Sequence, residues 1–226
     1  MKLSLKQTNP LPSVKGIVFD LDGTLVDSKD LVLASFQHAL SDFGIQITLE
    51  DIERIRRSSK EDLFSFFLKK EDAQIAIKRL WQYSNQNAGR AKLYPGMREV
   101  LTALQEKGVS LGVWTARDHK SALSILQANE VAHFFQGVMG SCLVAENKPH
   151  PEGLDKLIDL YLPHSKDEIL MIGDHADDIL GAKGAGTLSA AAKWGYPEAH
   201  SQPTHHHPDF VFETLEEFKN WVQFIK

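Results

Sequence analysis

Five short apolar runs alternate with amphipathic stretches along the chain, the pattern of a parallel sheet whose strands are joined by crossover helices. The runs are residues 15–20 (KGIVFD), 109–114, 134–140, 168–174 and 187–192. Each is largely apolar instead of alternating, which predicts strands covered on both faces. Between them, Met97 to Lys107 carries Val100, Leu101 and Leu104 at helical spacing and stops at Gly108. Pro151 suits a first helical position, ahead of an apolar face made by Leu154, Leu157, Ile158 and Tyr161. Thr214-Leu-Glu-Glu217 reads as a capping box opening the last helix.

Residues 27–93 break the alternation and read as helical throughout. Val32, Phe36, Ala39, Leu40 and Phe43 form one stripe, and Thr48-Leu-Glu-Asp51 looks like the start of a second helix. Leu63, Phe64, Phe67 and Leu68 suggest a third helix, and Ile75 to Tyr83 a fourth. An insert of this size predicts a small helical domain over 27–93, with 1–26 and 94–226 forming the larger α/β domain. Tyr94-Pro95-Gly96 is the turn that returns the chain to the sheet.

A length of 226 residues is enough for a sizeable core. The formal charge of −5 argues against a footprint for nucleic acid or an anionic membrane. Small anionic substrates remain compatible, because a few cations and a metal reverse the sign locally. The single cysteine, Cys142, excludes a disulfide framework and a cysteine-rich zinc site, and its apolar flanks predict a packed thiol. The first residues lack the apolar stretch of a signal peptide, and no run is long enough for a membrane helix. The expectation is a soluble, cytoplasmic protein with no membrane partner; oligomeric state is left open.

The strongest chemical signal is Asp20-Leu-Asp22-Gly23-Thr24-Leu directly after the first run. In parallel α/β sheets, ligands bind outside the carboxyl ends of the strands. Two carboxylates there, with Gly23 allowing a sharp turn, can hold a hard divalent cation through oxygen ligands. An isolated Asp-Gly would be no more than a turn, but the full string is far more specific.

This string resembles the first motif of the haloacid dehalogenase superfamily, most of whose members are phosphatases. The resemblance continues in order along nearly the whole chain. Val113-Trp-Thr115-Ala116-Arg117 is similar to the second motif, Lys148-Pro-His-Pro151 to the third, and Gly173-Asp174-His-Ala-Asp177-Asp178 to the fourth. The helical insert, Tyr94-Pro-Gly, Trp194-Gly-Tyr196 and the late DFVFETLEEF resemble the phosphoglycolate phosphatase-like branch. The resemblance implies a Rossmann-like three-layer α/β/α core with a parallel sheet and a helical cap inserted after the first strand.

It also implies roles. Asp20 is the nucleophile that forms an aspartyl-phosphate, and Asp22 protonates the leaving oxygen and then deprotonates the attacking water. Thr115 holds phosphoryl oxygens together with backbone N–H groups, including that of Ala116 and those of the Gly23-Thr24 turn. Lys148 pairs with Asp20 and the phosphate. The expected cofactor is Mg2+, bound by Asp20, the backbone carbonyl of Asp22 and Asp174, with Asp178 orienting ligands one helical turn on. The expected partner is a small phosphorylated metabolite, with phosphoglycolate a candidate. Ala116 departs from the asparagine common at that position, and Arg117 either adds charge near the phosphate or points outward.

Other features read as structural. His205-His206-His207 suits an exposed loop, Trp81 and Tyr83 suit packing, and Asp177 suits a solvated or capping position. Arg54, Arg56, Arg57 and Lys60 read mainly as a solvated face. A phosphoglucomutase-like isomerase and a non-catalytic phosphate-binding protein share the same fold and are the alternatives. A P-loop kinase is set aside because no G-x-x-x-x-G-K-[ST] occurs.

Overall fold

The computed structural model describes residues 13–52, 63–195 and 207–225. Its strands are β1 (Gly16–Phe19), β2 (Val26–Asp27), β3 (Lys92–Leu93), β4 (Ser110–Trp114), β5 (Gly137–Met139), β6 (Ile169–Gly173), β7 (Leu188–Ala192) and β8 (Phe210–Phe212). The helices are α1 (Lys29–Leu40), α2 (Lys70–Gln86), α3 (Met97–Glu106), α4 (His119–Ala128), α5 (Glu152–Tyr161), α6 (Ala176–Ala185) and α7 (Leu215–Val222).

The main sheet has the order β5-β4-β1-β6-β7-β8, with every pair parallel. The chain leaves the central β1, builds β4 and β5 to one side, then crosses back to build β6, β7 and β8 on the other. That reversal puts a topological switch point beside β1, where parallel sheets open a crevice at their carboxyl ends. The strand period of two explains why β1 has no polar face: Ile17 and Phe19 join one core and Val18 the other. The first core is closed by α3, α4 and α7, through Leu101, Ile125 and Phe218. The second is closed by α5 and α6, through Leu157 and Ala182. The result is the three-layer α/β/α arrangement expected from the sequence.

The helical insert has a core of its own, in which Ala39, Leu40, Ile47, Ile52, Phe64, Ala73, Ala76 and Leu80 are buried. Its helices α1 and α2 pack on each other. The chain enters and leaves through β2 and β3, which pair antiparallel with Val26 opposite Leu93 and Asp27 opposite Lys92. Thr48 opens a short helix as expected: its Oγ1 accepts from the Asp51 N–H at 3.2 Å, and Asp51 accepts from the Thr48 N–H at 3.0 Å. Arg54, Arg56, Arg57 and Lys60 lie outside the described residues.

Several expectations are corrected. Residues 63–66 form a 3-10 helix instead of a third α-helix, because the N–H groups of Phe67 and Leu68 both turn back to the Phe64 carbonyl and Lys69 is extended. In the run 134–140 the strand covers only Gly137–Met139, since residues 132–134 wind into a 3-10 turn. Tyr161 is exposed instead of buried with Leu154, Leu157 and Ile158, and its ring lies over Gly137, where any Cβ would overlap it. Cys142 is exposed. The Thr214 hydroxyl accepts from the Glu217 N–H, but the Glu217 carboxylate reaches the Glu213 N–H instead of closing the box. Strand β8 extends the sheet where no strand was expected, and packs Phe210 and Phe212 against Trp221 with tilted rings. Among the described residues no helix is long and apolar enough to cross a membrane.

The Trp114 ring, at the end of β4, lies against Gly153 and Gly181, at both of which a Cβ would overlap it. Alanine normally stabilises a helix by about 0.5–1 kcal/mol over glycine. Gly153→Ala is expected to do the reverse, lowering stability by about 1–3 kcal/mol through overpacking, as measured by chemical denaturation.

Candidate active site

Strands β4, β1 and β6 lie side by side in register, with Phe19 opposite both Val113 and Ile172. The residues that come after them therefore emerge along one edge of the sheet. The Asp20 N–H still donates to the Ile172 carbonyl at 2.9 Å, and the Thr115 N–H to the Met139 carbonyl at 3.0 Å. Ladder bonds thus fix the backbone at the point where Asp20 and Thr115 leave the strands, and Asp174 directly follows β6. All three are buried.

Lys148 reaches this edge from the loop before α5. Its ammonium donates to Asp20 Oδ1 at 2.8 Å, to Asp178 Oδ1 at 2.6 Å and to the Trp114 carbonyl at 2.7 Å. It also lies 4.7 Å from the centroid of the Trp114 ring. Asp178 is held in turn, because its Oδ2 accepts from the His175 N–H at 3.0 Å and closes a capping box at the start of α6. Gly173 permits this approach, since a Cβ there would overlap the Asp178 carboxylate.

Carboxylate oxygens of Asp20, Asp174 and Asp178 lie within 4.8 Å of one another, and all three residues are buried. Three clustered hard oxygen donors suit Mg2+ or Ca2+ and not a soft metal. Charge supports the same reading: four carboxylates, Asp20, Asp22, Asp174 and Asp178, share the site with the cations Lys148 and Arg117. The sequence assigned Asp20, Asp22 and Asp174 to the metal and left Asp178 behind them; Asp178 stands in the cluster itself.

These charges act on one another. Burial pushes the Asp20 carboxyl up to about 6; Lys148 opposes the shift, and the nearby Asp178 and Asp22 add to it. Burial alone would lower the Lys148 ammonium, but the carboxylates of Asp178 and Asp20 hold it above its ordinary value. The partners differ because Lys148 meets two carboxylates, while Asp20 meets one ammonium and further negative charge. Tyr94 opens the turn Tyr94-Pro95-Gly96. Burial, then Asp27, Asp174 and Asp22, raise its phenol, whose oxygen has no hydrogen-bond partner among the described residues.

Other site residues take places that the motifs alone did not give. The buried Thr24 hydroxyl, expected near the phosphate, donates to Asp174 Oδ1 at 3.3 Å and so orients a carboxylate. Gly23 takes a φ of 78° and packs its carbonyl against Gly195, which leaves no room for a Cβ there. The Thr115 hydroxyl accepts from the Arg117 N–H at 3.2 Å, while the helix-capping role goes to Asp118, which accepts from the Ser121 N–H at 3.1 Å. Ala116 is exposed.

The Asp22 carboxyl is held on both oxygens. Both its oxygens take N–H groups of Arg117, at 2.7 Å each, and its Oδ1 also accepts from the Ser28 hydroxyl. Arg117 thus points inward, to Asp22, and is buried. Asp177 sits half-exposed beside His175. Trp81 packs on the insert's core and Tyr83 stacks on His38. His207 is exposed, and His205 and His206 lie outside the described residues.

A raised carboxyl pKa favours folding at low pH: the contribution is complete below the unfolded value near 3.9 and is lost as pH rises through about 6. In metal-free protein Asp20→Asn removes that penalty and leaves Lys148 paired with Asp178. The variant is therefore expected to match wild type near pH 4 and to exceed it by an amount on the order of 1–3 kcal/mol at pH 7–8. Thermal unfolding in chelator across that range measures it.

The family model of haloacid dehalogenase-like hydrolases matches residues 17–192. A phosphoglycolate phosphatase of Vibrio parahaemolyticus is 32% identical over 218 residues, covering 90% of this chain and 94% of the relative. A pyrophosphatase PpaX of Anoxybacillus flavithermus is 31% identical over 205 residues, covering 90% of this chain and 94% of the relative. Among solved structures, a predicted phosphoglycolate phosphatase from Haemophilus somnus superposes with a TM-score of 0.80 at 26% identity, covering 96% of this chain and all of that one. The strand-end carboxylates, the buried lysine and these matches agree, and the chain belongs to the haloacid dehalogenase-like hydrolases, within their phosphatase branch.

Proposed function

We propose that this phosphatase hydrolyses a small phosphate monoester in two displacements, with Asp20 as nucleophile and Mg2+ as cofactor. The observation that carries the reading is the Asp20–Lys148–Asp178 network beside the three-carboxylate cluster. In the first step an Asp20 oxygen forms a bond to phosphorus while the ester P–O bond breaks, and Asp22 gives the departing oxygen a proton. In the second, a water oxygen attacks the phosphorus, its proton returns to Asp22, and Asp20 is released as a carboxylate.

Lys148 neutralises one oxygen of Asp20 and leaves the other as the one that attacks phosphorus. Thr115 and the backbone N–H groups after β4 receive phosphoryl oxygens. Asp20, Asp174 and Asp178, with the Asp22 carbonyl, would hold the Mg2+. When bound, it would neutralise the crowded carboxylates and the charge on the transferring group.

Residues 27–93 serve as a cap over the site, and 1–26 with 94–226 as the core. The self-contained apolar cluster of the insert and its two-strand connection support this division. A cap of this kind limits the substrate to a small phosphorylated metabolite. Phosphoglycolate is one candidate among monoesters; the pyrophosphatase relatives make pyrophosphate, an anhydride whose bridging oxygen would leave in place of the ester oxygen, the second.

A panel of phosphoglycolate, pyrophosphate, sugar phosphates and aryl phosphates is expected to show phosphate release that requires Mg2+ and stops in chelator. Asp20→Asn should lower turnover by at least ~1000-fold. Retained activity in that variant would remove Asp20 from the mechanism. Isomer formation from a hexose phosphate without phosphate release would favour the mutase alternative, and metal-independent binding without turnover the non-catalytic one.

A further inference from the structure

Arg117 lies three residues past the end of β4, and its main chain is held on both sides. Its N–H donates to Thr115 Oγ1 at 3.2 Å, and its carbonyl accepts from the Ser141 N–H at 2.7 Å. The side chain is buried and divided in its contacts. Nε and Nη2 form a fork on the Asp22 carboxylate, both at 2.7 Å, while Nη1 donates to Ser84 Oγ at 2.7 Å and lies 3.4 Å from Ser121 Oγ. The two serine oxygens are 2.9 Å apart and both residues are buried.

The positions of these partners in the chain matter more than the bonds singly. Ser84 lies near the end of α2, just before the chain leaves the insert, and Ser121 lies in the first turn of α4 in the core. Ser28, which also donates to Asp22, lies just before α1, where the chain enters the insert. The Asp22 carboxylate therefore touches one crossing directly and the other through the guanidinium. Arg117 joins a strand-end carboxylate of the core to a helix of the insert.

We propose that Arg117 is a positioning residue: it fixes the direction of the Asp22 carboxylate and makes that direction depend on the seat of helix α2. The inference rests on the reading of Asp22 as the group that moves the proton. A planar fork with two parallel N–H donors sets both the distance and the plane of a carboxylate, which a lysine ammonium does not. The third nitrogen, anchored on Ser84, prevents the fork from rotating. A competing assignment, in which Arg117 binds the phosphate, would need the same fork that Asp22 already occupies.

The test uses leaving groups. An alkyl phosphate requires a proton on its departing oxygen, whereas a nitrophenyl phosphate departs without one, and kcat/KM reports the chain of steps through that departure. Arg117→Lys is expected to lower kcat/KM for an alkyl phosphate by roughly 10–100-fold, with a much smaller effect, under about 3-fold, on the nitrophenyl ester. Inhibition by inorganic phosphate should stay unchanged. Ser84→Ala should show the same preference more weakly, and adding it to Arg117→Lys should cost little more.

Equal losses on both esters, or a weakened inhibition by phosphate, would overturn the proposal in favour of a structural or phosphate-binding role. Should Arg117→Lys fail to fold, Ser84→Ala read on both esters carries the same test, and equal loss or no loss overturns it. Asp22→Asn separates the two levels. If that variant shows the leaving-group-dependent loss and Arg117→Lys does not, the positioning role alone is wrong. If Asp22→Asn affects both esters alike, the reading of Asp22 has failed beneath it.

Discussion

The buried ammonium of Lys148 is the contact on which the rest of the site depends. Asp20 and Asp178 come from elements 128 and 30 residues away from it in sequence, and both carboxylates are almost fully enclosed. Two such charges brought together without a cation would cost several kcal/mol each. The lysine makes their approach possible, and the Trp114 carbonyl and ring hold the lysine. The Trp114 ring fits its place because Gly153 and Gly181 pack against it without side chains. Two glycines beside the second core thus support a charge at the sheet edge.

Enough negative charge remains to leave the site short of balance. Asp20 is held above its ordinary pKa even with Lys148 in contact, because burial and two neighbouring carboxylates outweigh one ammonium. The same imbalance that destabilises the free protein prepares the cluster of Asp20, Asp174 and Asp178 for a divalent cation. Crowding buried carboxylates in this way comes at the expense of local stability.

The sequence made some of this legible and hid the rest for physical reasons. Residues at strand ends could be read because uninterrupted apolar runs mark buried parallel strands, and Asp20, Thr115 and Asp174 each come directly after one. Contacts between distant residues could not. Arg117 and Asp22 are 95 residues apart, and nothing local in Thr115-Ala116-Arg117 shows that the guanidinium turns inward. Ser84 lies in a helix whose pattern suggests packing alone, although its hydroxyl meets Arg117. Thr24 had the composition of a phosphate ligand, but its direction is set by Asp174 across the sheet edge. The third helix of the insert failed for a different cause: the spacing of Leu63, Phe64, Phe67 and Leu68 fits a single 3-10 turn as well as an α-helix.

The two-displacement role of Asp20 is tested most directly by the stereochemical course at phosphorus. A phosphorothioate ester made chiral at phosphorus by sulfur and two oxygen isotopes is hydrolysed in water of the third isotope, and the configuration of the released thiophosphate is compared with that of the ester. Each in-line displacement inverts the centre, so transfer to Asp20 and then to water gives net retention. Retention is the expected result. Net inversion would mean that water attacks the substrate directly and that Asp20 never carries the phosphoryl group.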